Sequence, residues 1–466
     1  MLLGLRGDEE DNYESIIPED CRWKNWAAPN ENGQALTGEK LLSFVNNVLF
    51  PVLKGQDVFD GDKVLYKGIT VSQDTPIRKA IVKTTFEDAN NYMKDGACLR
   101  EVIDVVDRID FSDVKESHDF GTIYEEILRG LQSAGSAGEF YTPRAVTDFM
   151  AKMISPQLGE NMADFACGTG GFITSWLSEV NKHIAGKDDI KTIGSSFFGV
   201  EKKQFPYLLC ITNMLLHDVE FPNIIHGNSL THNLLDYTED DKFSIILMNP
   251  PYGGSENKSV RHYFPDDLAT SETADLFMSV IMYRLKKHGR AAVVVPDGFL
   301  TGTIPNDYSK YNIKRKLLTE FNLHTVIRIP PSVFSPYTPI ATNILFFDNE
   351  GTTKTTWFYR VDMPSDRKHF SKTKPMELKH FESCMEWWKN RKKTYIDDNP
   401  QSEEYDVDFL LNERQCNLDL CGYPVKEELI LSPMEVINNF QRERSELNSK
   451  IDTILETIEA LLPEEG

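Results

Sequence analysis

The sequence has no excess of positive charge and no long hydrophobic run. Its 466 residues include 50 Lys and Arg against 72 Asp and Glu, which gives a formal net charge of −22 and a pI of about 4.9. Such a chain is poorly suited to bind nucleic-acid phosphates over its whole surface, so a nucleic-acid ligand would require a local basic face or a basic partner. Without an apolar run of membrane-spanning length or a signal peptide, we expect no membrane contact and a cytoplasmic location.

Two short basic stretches are candidates for a local basic face. Each is equally well interpreted as a solvated helix surface. The stretches are Lys389, Arg391, Lys392 and Lys393 beside Trp387 and Trp388, and Lys314, Arg315 and Lys316 on a predicted helix.

Cysteine is also scarce. The seven cysteines are odd in number and scattered, which argues against a disulfide framework and favours a reducing compartment. Cys416 and Cys421 lack the paired ligand clusters of a zinc site, and Cys167 fits a tight turn better than a nucleophile. We therefore predict no metal.

The most informative segment follows the apolar run Phe243–Met248. This run predicts a buried strand, and Asn249-Pro250-Pro251-Tyr252 comes where such a strand would end in a binding crevice. Two prolines cannot continue a ladder, and they fix the backbone so that the Asn249 amide and the Pro250 carbonyl can converge on one planar amino group. Tyr252 adds a ring face for stacking. For the isolated motif, a plain turn is the alternative.

A strand, a glycine turn and a helix are predicted upstream. Residues 162–166 indicate a short strand, residues 167–172 supply the turn, and the apolar spacing from Ile173 to Val180 indicates a helix. This arrangement brings backbone N–H groups and a helix N-terminus close to a ligand. Ile173 occupies the place of the last glycine of the dinucleotide fingerprint, which disfavours a nicotinamide or flavin site.

Two further predicted strands end in polar side chains. Residues 197–200 are followed by Glu201, whose two oxygens suit the hydroxyls of a ribose, and residues 224–226 are followed by Gly227 and Asn228, which suits an adenine edge. A solvated strand end is the alternative for each residue alone. The order of the four segments favours one shared site.

This order resembles that of the amino-methyltransferases that use S-adenosylmethionine and act on exocyclic nitrogens. Residues 138–144, with the sequence Gly-Glu-Phe-Tyr-Thr-Pro-Arg, and the glycine-turn segment 164–172 are together similar to the modification (methylase) subunit of type I restriction-modification systems. The resemblance is clearest from about residue 121 to 347. It implies a DNA adenine-N6 methyltransferase that works with a separate specificity subunit, two methylase subunits to one, and with a motor-nuclease subunit for cleavage.

The resemblance also implies roles for individual residues. Asn249, Pro250, Pro251 and Tyr252 form the catalytic group, and Tyr252 and Phe334 stack on the target base, although Phe334 equally fits a core position. The implied contacts to S-adenosylmethionine are Glu139, Phe140, Tyr141, Thr142, Pro143 and Arg144 along one side, Asp164 at the methionine ammonium, Gly168, Thr169, Gly170 and Gly171 at the methionine and ribose, Glu201 at the ribose hydroxyls, and Asn228 at the adenine. Thr142 and Pro143 also fit a helix start, as the N-cap and the first helical residue.

The pattern of predicted elements indicates three regions. Residues 132–370 alternate strands and helices, which predicts an α/β, Rossmann-like methyltransferase domain with a doubly wound, mainly parallel sheet. Its later elements are helices at 275–287 and 306–321 and strands at 291–295, 325–329 and 343–347. Residues 1–131 are predicted to be a helical N-terminal domain, with helices at 41–52 and 102–109, and the resemblance implies that this module is shortened here.

Residues 371–466 form the predicted C-terminal region. After Pro433, apolar residues at heptad-like spacing predict a helix with one apolar seam, formed by Phe440, Leu447, Ile451, Ile454, Ile458 and Leu461. The seam needs a partner, either its own domain or another subunit. In the family that the chain resembles, such helices contact the specificity subunit.

Two other functions remain open. A protein-glutamine or RNA amino-methyltransferase is the first, because Asn-Pro-Pro-Tyr serves any planar amide or amino nitrogen. A non-catalytic scaffold that keeps the cofactor fold is the second. The segment 138–144 and the appended helices argue against the first, and the intact Asn249–Tyr252 motif argues against the second.

Overall fold

The computed structural model describes most of the chain. The described residues are 16–29, 35–71, 77–108, 141–184, 196–217, 222–252, 254–301, 308–335, 340–371, 373–424 and 433–459, with the single residues 124, 128, 193, 219 and 338. The predictions that depend on residues 1–15 (the shortened N-terminal module), on Glu139, on Phe140 and on Leu461 of the apolar seam lie outside these residues, as does the side chain of Ile458.

Helices and strands alternate through the described chain. The helices are α1 (Trp23–Trp26), α2 (Gly38–Phe44), α3 (Phe50–Leu53), α4 (Ile77–Phe86), α5 (Gly96–Asp107), α6 (Arg144–Ile154), α7 (Gly171–Val180), α8 (Gln204–Leu216), α9 (Thr273–Arg284), α10 (Asp297–Leu300), α11 (Tyr308–Glu320), α12 (Glu382–Lys389) and α13 (Pro433–Glu459). The strands are β1 (Val58–Asp60), β2 (Lys63–Tyr66), β3 (Met162–Asp164), β4 (Phe197–Glu201), β5 (Ile224–His226), β6 (Phe243–Met248), β7 (Leu285–Pro296), β8 (Asn322–Ile329), β9 (Thr342–Asp348), β10 (Thr355–Arg360), β11 (Thr394–Ile396) and β12 (Asn399–Asp406).

Ten of these strands form one mixed sheet, in the order β11-β12-β10-β8-β9-β7-β6-β3-β4-β5. From β7 to β5 all neighbours are parallel, whereas β9 runs antiparallel between β7 and β8. The chain passes from β3 to β4 and β5 and then returns to the other side of β3 with β6. The strand order therefore reverses between β3 and β6, and in open α/β sheets ligands bind outside the carboxyl ends of the strands at such a point.

The central strands are buried on both faces. In β6, Ile245 and Leu247 contact one hydrophobic core, whereas Ile246 and Met248 contact the other, as the two-residue period of a strand requires. The first core is completed by α6, α7 and α8, and the second by α9 and α11. Helices on both faces explain why β6 is a continuous apolar run. The predicted α/β, Rossmann-like class is confirmed.

Local periodicity predicted one helix end wrongly. Helix α9 ends at Arg284, and the next three residues, predicted as its last turn, begin β7 instead. Leu285 is buried and pairs with Phe243 of β6. Sheet pairing decides the conformation here, because tertiary contacts override weak local propensity.

The N-terminal region contains a β-hairpin as well as helices. Strands β1 and β2 pair antiparallel across a turn at Gly61, whose φ of 59° suits a glycine. The predicted helix at 41–52 is continuous from α2 to α3 through a π-helical segment, Val45–Leu49. These helices enclose a separate small core that contains Leu41, Val52 and Ile103.

The described chain divides into two compact units, Met1–Gly422 and Tyr423–Gly466. Strands β11 and β12 belong to the first unit and extend the ten-stranded sheet, so this sheet continues past residue 370, the predicted end of the catalytic domain. The second unit contains α13, whose described apolar side chains, including Phe440 and Leu447, are exposed.

Lys314 is not available as a DNA contact. Its side chain is fully buried, and its Nζ donates to the carbonyl oxygens of Leu300 at 3.2 Å and Thr301 at 2.7 Å. The lysine therefore satisfies carbonyls at the end of α10. Its neighbour Lys316 pairs with Glu320 one helical turn away.

The second basic stretch is also partly occupied within the protein. The Arg391 guanidinium lies 4.6 Å from the centroid of the Trp388 ring, and burial lowers its pKa. Lys393 pairs with Glu403 at 3.1 Å. Lys389 and Lys392 make no ion pair with a described residue, but with Arg391 and Lys393 occupied this stretch does not form a continuous free cationic face.

Over the described ranges, no helix has the length and apolar character needed to cross a membrane, and no group of three or more His, Cys, Asp or Glu side chains is arranged to hold a metal ion. All seven cysteines carry free thiols.

Candidate active site

A cavity of about 600 Å³ opens at the carboxyl ends of β3, β4, β5 and β6, where the strand order reverses. The predicted residues in its wall come from six separate segments of the sequence. The predicted site residues that line it are Tyr141, Thr142, Asp164, Gly168, Thr169, Gly171, Glu201, Asn228, Asn249, Pro250, Pro251, Tyr252 and Phe334.

Three other predicted contacts lie behind the wall. Pro143 is the N-cap residue of α6, and Arg144 begins that helix. The Arg144 guanidinium lies so close to Gly171 that a Cβ on this glycine would come within 2.6 Å of Nη1. Gly170 faces α8, where a Cβ would meet Cys210 Sγ at 3.0 Å. Arg144 and Gly170 therefore contribute to the packing around the glycine turn without lining the cavity.

The glycine turn after β3 has a backbone that other residues adopt only with strain. Gly168 and Gly170 have φ values of 54° and 83°, in the left-handed region. The turn is fixed from outside by Asn213 of α8, a fully buried residue whose Nδ2 donates to the Thr169 carbonyl at 2.8 Å. Gly171 and Phe172, the first two residues of α7, line the cavity, so the N-terminus of this helix lies at the cavity wall.

Glu201, the last residue of β4, is hydrogen-bonded to the glycine turn that follows β3. Its Oε2 accepts from the Gly168 N–H at 3.0 Å, and its Oε1 accepts from the Lys203 N–H at 2.7 Å. Burial raises the pKa of this carboxyl, while the backbone hydrogen bonds oppose the rise. Each oxygen keeps a second lone pair, so Glu201 can still accept two hydroxyl groups from the cavity side.

Asp164 is a second buried carboxyl in the same wall. It is 1% exposed, and one oxygen accepts from the Ala166 N–H at 3.1 Å. Burial, with a smaller contribution from the nearby charge of Glu201, raises its pKa to about 8, while the hydrogen bond from the Ala166 N–H opposes the rise. A cation beside Asp164 would restore the ionised form. The pair therefore favours a ligand with a positive group and hydroxyls over a ligand with phosphates at this position.

Asn249 lines the cavity and carries an unpaired acceptor. Its Nδ2 donates to the Thr142 hydroxyl at 3.1 Å, whereas its Oδ1 is buried and has no hydrogen-bond partner among the described residues. A buried carbonyl without a partner costs about 1–3 kcal/mol, so such atoms are rare unless a ligand satisfies them. Pro250 and Pro251 follow directly, which keeps this strand end free of ladder hydrogen bonds.

The hydroxyl of Thr142 does not cap a helix. The N-cap of α6 is Pro143, and no side chain bonds to the first turn. The helix-start prediction, with Thr142 as the N-cap and Pro143 as the first helical residue, is therefore wrong by one residue. The hydroxyl is instead used across the fold by Asn249, 107 positions away.

Aromatic rings form the apolar part of the wall. Tyr252 and the buried Phe334 line the cavity, as do Phe165 and Phe277, which were not predicted as site residues. Phe165 lies inside the glycine-turn segment that was singled out. Phe277 lies on α9, more than twenty residues after the Asn-Pro-Pro-Tyr motif, and no local signal marks it.

The loop after Tyr252 is held on two sides. The Thr273 hydroxyl donates to the Gly254 carbonyl at 2.8 Å, and Lys202 pairs with Glu256 at 3.0 Å. Gly254 and Glu256 line the cavity, so the Lys202 pair links the β4 end to the β6 loop. Sequence patterns give no sign of either contact.

Asn228 stands at the end of β5. Its Oδ1 accepts from the Leu230 N–H at 3.1 Å and closes a turn. This contact leaves its Nδ2 to donate into the cavity, which suits a ring nitrogen of an adenine.

A doubly wound sheet of this kind, with a glycine turn, two buried carboxylates and an unpaired amide oxygen at its switch point, defines a methyltransferase for planar amino nitrogens. The family model of N-6 DNA methylases matches residues 115–423. Over 458 residues the chain is 43% identical to the methylase subunit of the type I restriction enzyme EcoEI from Escherichia coli, covering 97% of this chain and 89% of that protein. The chain belongs to the N-6 DNA methylase family, among the type I methylase subunits.

Solved structures agree with this assignment. One similar structure is a modification subunit assigned to a type I restriction enzyme of Vibrio vulnificus YJ016, with a TM-score of 0.70, 38% identity, and coverage of 85% of this chain and 81% of that chain. Another comes from work on complex assembly and conformational transition of the type I restriction-modification system, with a TM-score of 0.73, 30% identity, and coverage of 97% and 88%. The family resemblance is confirmed, and with it the class of adenine-specific DNA methyltransferases.

Proposed function

We propose that this protein transfers the methyl group of S-adenosylmethionine to the N6 amino group of adenine in DNA, as the modification subunit of a type I restriction-modification complex. The buried, unpaired Asn249 Oδ1 at the cavity wall carries the proposal. An amino group that donates a hydrogen bond is the partner that this atom lacks.

The cavity fits S-adenosylmethionine, which supplies an activated methyl group when bound. Asp164 offers a carboxylate for the methionine ammonium, and Glu201 offers two acceptors for the ribose hydroxyls. Asn228 would hold the adenine with its Nδ2, and the turn at Gly168 provides the close backbone approach. The volume of about 600 Å³ leaves room for the cofactor and a target base.

Asn249 and the Pro250 carbonyl prepare the nucleophile. The lone pair of an aromatic amino group is delocalised into its ring, so the nitrogen is a poor nucleophile. Two acceptors that bind its hydrogens draw the nitrogen towards a tetrahedral geometry and aim its lone pair. Transfer is then an in-line displacement that depends mainly on positioning, and no strong general base is required.

A target adenine must leave the duplex to reach this cavity, because its amino group is inaccessible inside the stack. Tyr252 and Phe334 line the same wall as Asn249 and would hold the flipped base between their rings. Stacking of a base on an aromatic side chain is worth about 1–3 kcal/mol.

The net charge of −22 implies that DNA binding requires a partner, because duplex affinity comes mostly from phosphate neutralisation. That partner is a specificity subunit, bound through the apolar seam of α13, with two methylase subunits to one specificity subunit. A motor-nuclease subunit joins for cleavage. The complex acts in the cytoplasm.

To test this, the chain is incubated with labelled S-adenosylmethionine and with DNA, RNA or protein. Each incubation is done with and without the specificity subunit. We expect label at adenine N6 in DNA, and much more of it when the specificity subunit is present. Label that appears in glutamine or RNA but not in DNA would overturn the proposal.

A further inference from the structure

The amide of Asn249 has one occupied end and one unoccupied end. Its Nδ2 donates to Thr142 Oγ1 at 3.1 Å, and its Oδ1 is the buried acceptor without a partner in the described part of the chain. Both residues line the same cavity. Among the described residues, this hydrogen bond is the one contact of the amide group, and in it Nδ2 is the donor while Oδ1 keeps its capacity to accept.

The orientation matters because the two ends of an amide have opposite hydrogen-bonding character. The carbonyl oxygen accepts and the NH₂ group donates. The terminal torsion of an asparagine is broad and roughly two-fold, so the side chain by itself does not select one orientation. Only an amide with Oδ1 towards the substrate can accept from an adenine amino group.

Thr142 is well placed to hold the amide. It lies between the buried residues Tyr141 and Pro143, which fix its backbone just before α6. Its hydroxyl is not used by the helix, since no side chain caps the first turn. The segment that carries it is 107 residues from Asn249, so local sequence does not require the contact.

We propose that Thr142 is a positioning residue for methyl transfer: its hydroxyl holds Nδ2 of Asn249 and thereby keeps Oδ1 directed at the amino group of the target base. This inference rests on the proposed function. It assigns Thr142 a role in the methyl-transfer step, whereas the family resemblance placed it among the cofactor contacts.

The test compares Thr142→Val and Thr142→Ser in the full chain bound to its specificity subunit. Two quantities are measured: the rate of methyl transfer in a single turnover at saturating cofactor, and the Kd of S-adenosylmethionine. We expect Thr142→Val to lower the rate about tenfold, which corresponds to ~1.4 kcal/mol in the barrier and to the net worth of one hydrogen bond. The Kd should stay within about twofold, since an interaction limited to the transition state alters the rate and not ground-state binding. Thr142→Ser should restore the rate.

A matched control is Thr147→Val, on the same segment of chain. The Thr147 hydroxyl donates to the Arg144 carbonyl at 3.1 Å and accepts from the Ser175 hydroxyl at 2.8 Å, and Thr147 is not among the residues that line the cavity. Its loss should lower the thermal stability and leave the single-turnover rate unchanged. A raised Kd with an unchanged rate for Thr142→Val would overturn the proposal and make Thr142 a cofactor contact.

A second test uses Asn249→Asp. A carboxylate has two equivalent acceptor ends, so it needs no orienting partner. Thr142→Val should therefore reduce the rate less in this background than in the native one, and an equal loss in both would exclude the orienting role. The substrate of the wild-type complex tests the proposed function by itself. The role of Thr142 is tested by the ratio of the variant rate to the wild-type rate, which can be measured on any amino substrate that the complex methylates.

Discussion

The carboxyl edge of the sheet and the long helix α13 differ in whether their side chains already have partners within the protein. At the edge, Asp164 and Glu201 are buried and hydrogen-bonded to backbone N–H groups, and the cavity is formed within one compact unit. On α13, Phe440 is 63% exposed and Leu447 59% exposed. Exposed apolar side chains along one helix are what the proposed contact with a specificity subunit requires.

This difference separates two functions. A preformed site needs no partner to bind a small ligand, so the chain alone should bind S-adenosylmethionine. The helix needs a second surface before its seam is buried. Cofactor binding and complex formation should therefore be separable by mutation.

The largest expected effect is on assembly. Deletion of residues 433–466 removes α13 and its seam, and we expect the specificity subunit to be lost from the complex completely. Size-exclusion chromatography of the co-expressed subunits measures this. The truncated chain should bind S-adenosylmethionine with unchanged affinity by calorimetry.

A pair of point variants sharpens the same comparison. Leu447→Asp places a charge in the seam, whereas Ser449→Asp places the same charge on the opposite side of the helix. Only the first should weaken the complex. If the truncated chain or Leu447→Asp still co-elutes with the specificity subunit, α13 is not the contact surface.

Asn249→Ala should have the next largest effect, on catalysis. Removal of one preorganised hydrogen-bonding group that acts in the transition state lowers a rate by about 10²–10³-fold. We expect a loss of this order in methyl transfer with nearly unchanged cofactor affinity, because the proposed partner of Oδ1 is the amino group of the substrate and not the cofactor.

The matched control is Asn161→Ala, before the amino end of β3. Asn161 holds both neighbours of Phe243 through bonds to the Lys242 carbonyl and the Ser244 N–H, so both ends of its amide are occupied. Its loss should cost stability and spare the rate. Native methylation by Asn249→Ala would show that the catalytic assignment is wrong.

Glu201→Gln should weaken cofactor binding. A hydrogen bond to a charged group contributes about 1.5–3 kcal/mol, which corresponds to roughly 10- to 100-fold in Kd. Titration calorimetry measures the change, and a thermal melt checks that the bond to Gly168 has not collapsed the turn. Glu239→Gln serves as the control, since Glu239 is exposed and pairs only with Lys242. Equal affinities in the two variants would make Glu201 a structural strand-end residue.

The smallest effect concerns pH. The pKa of Asp164 is about 8 in the cavity, and pairing with the methionine ammonium should lower it, so binding at pH 7 should release a proton. The affinity should rise with pH by up to tenfold per unit, until the amino group of the ligand, with an ordinary pKa of about 7.7–8.0, also loses its proton. Calorimetry in buffers of different ionisation enthalpy counts the proton. Asp164→Asn should bind more weakly and release none.

The same pKa determines the sign of a stability effect. Because the pKa of Asp164 in the folded protein lies above its ordinary value of 3.8, its contribution to stability is complete below pH 3.8 and is lost progressively as pH rises towards about 8. The melting temperature of the unliganded protein should therefore fall more between about pH 5 and pH 8 than that of Asp164→Asn. Parallel curves would show that the carboxyl is ionised throughout.

Local patterns in the sequence were sufficient to find the strand ends. The apolar run of β6 indicates a buried strand, and the prolines that follow it indicate where the strand ends. Both features are visible in the sequence because they depend on neighbours along the chain. The same holds for the glycine turn after β3, whose positive φ values only glycine adopts without strain. These signals, with the family resemblance, were enough to predict the fold class and half of the residues that line the cavity.

Contacts between distant segments were not predictable in this way. The helix predicted to reach residue 287 ends at Arg284, where the chain turns into β7 and the Arg284 guanidinium lies 4.3 Å from the centroid of Tyr237 and 4.9 Å from that of Phe165. The rings around it come from separate strands and loops. Lys314 was predicted on an exposed helix face, yet it is buried because the end of α10 needs donors.

The sequence by itself determined the chemical groups at the strand ends and the fold class that gathers them. Only the tertiary structure decided that Thr142 meets Asn249, that Lys202 pairs with Glu256 beside the cavity, and that β11 and β12 extend the catalytic sheet. The physical reason is the range of the interactions. Turn geometry and strand periodicity act between neighbours along the chain, whereas a hydrogen-bond partner or a strand neighbour is set by which crossovers bring distant segments together.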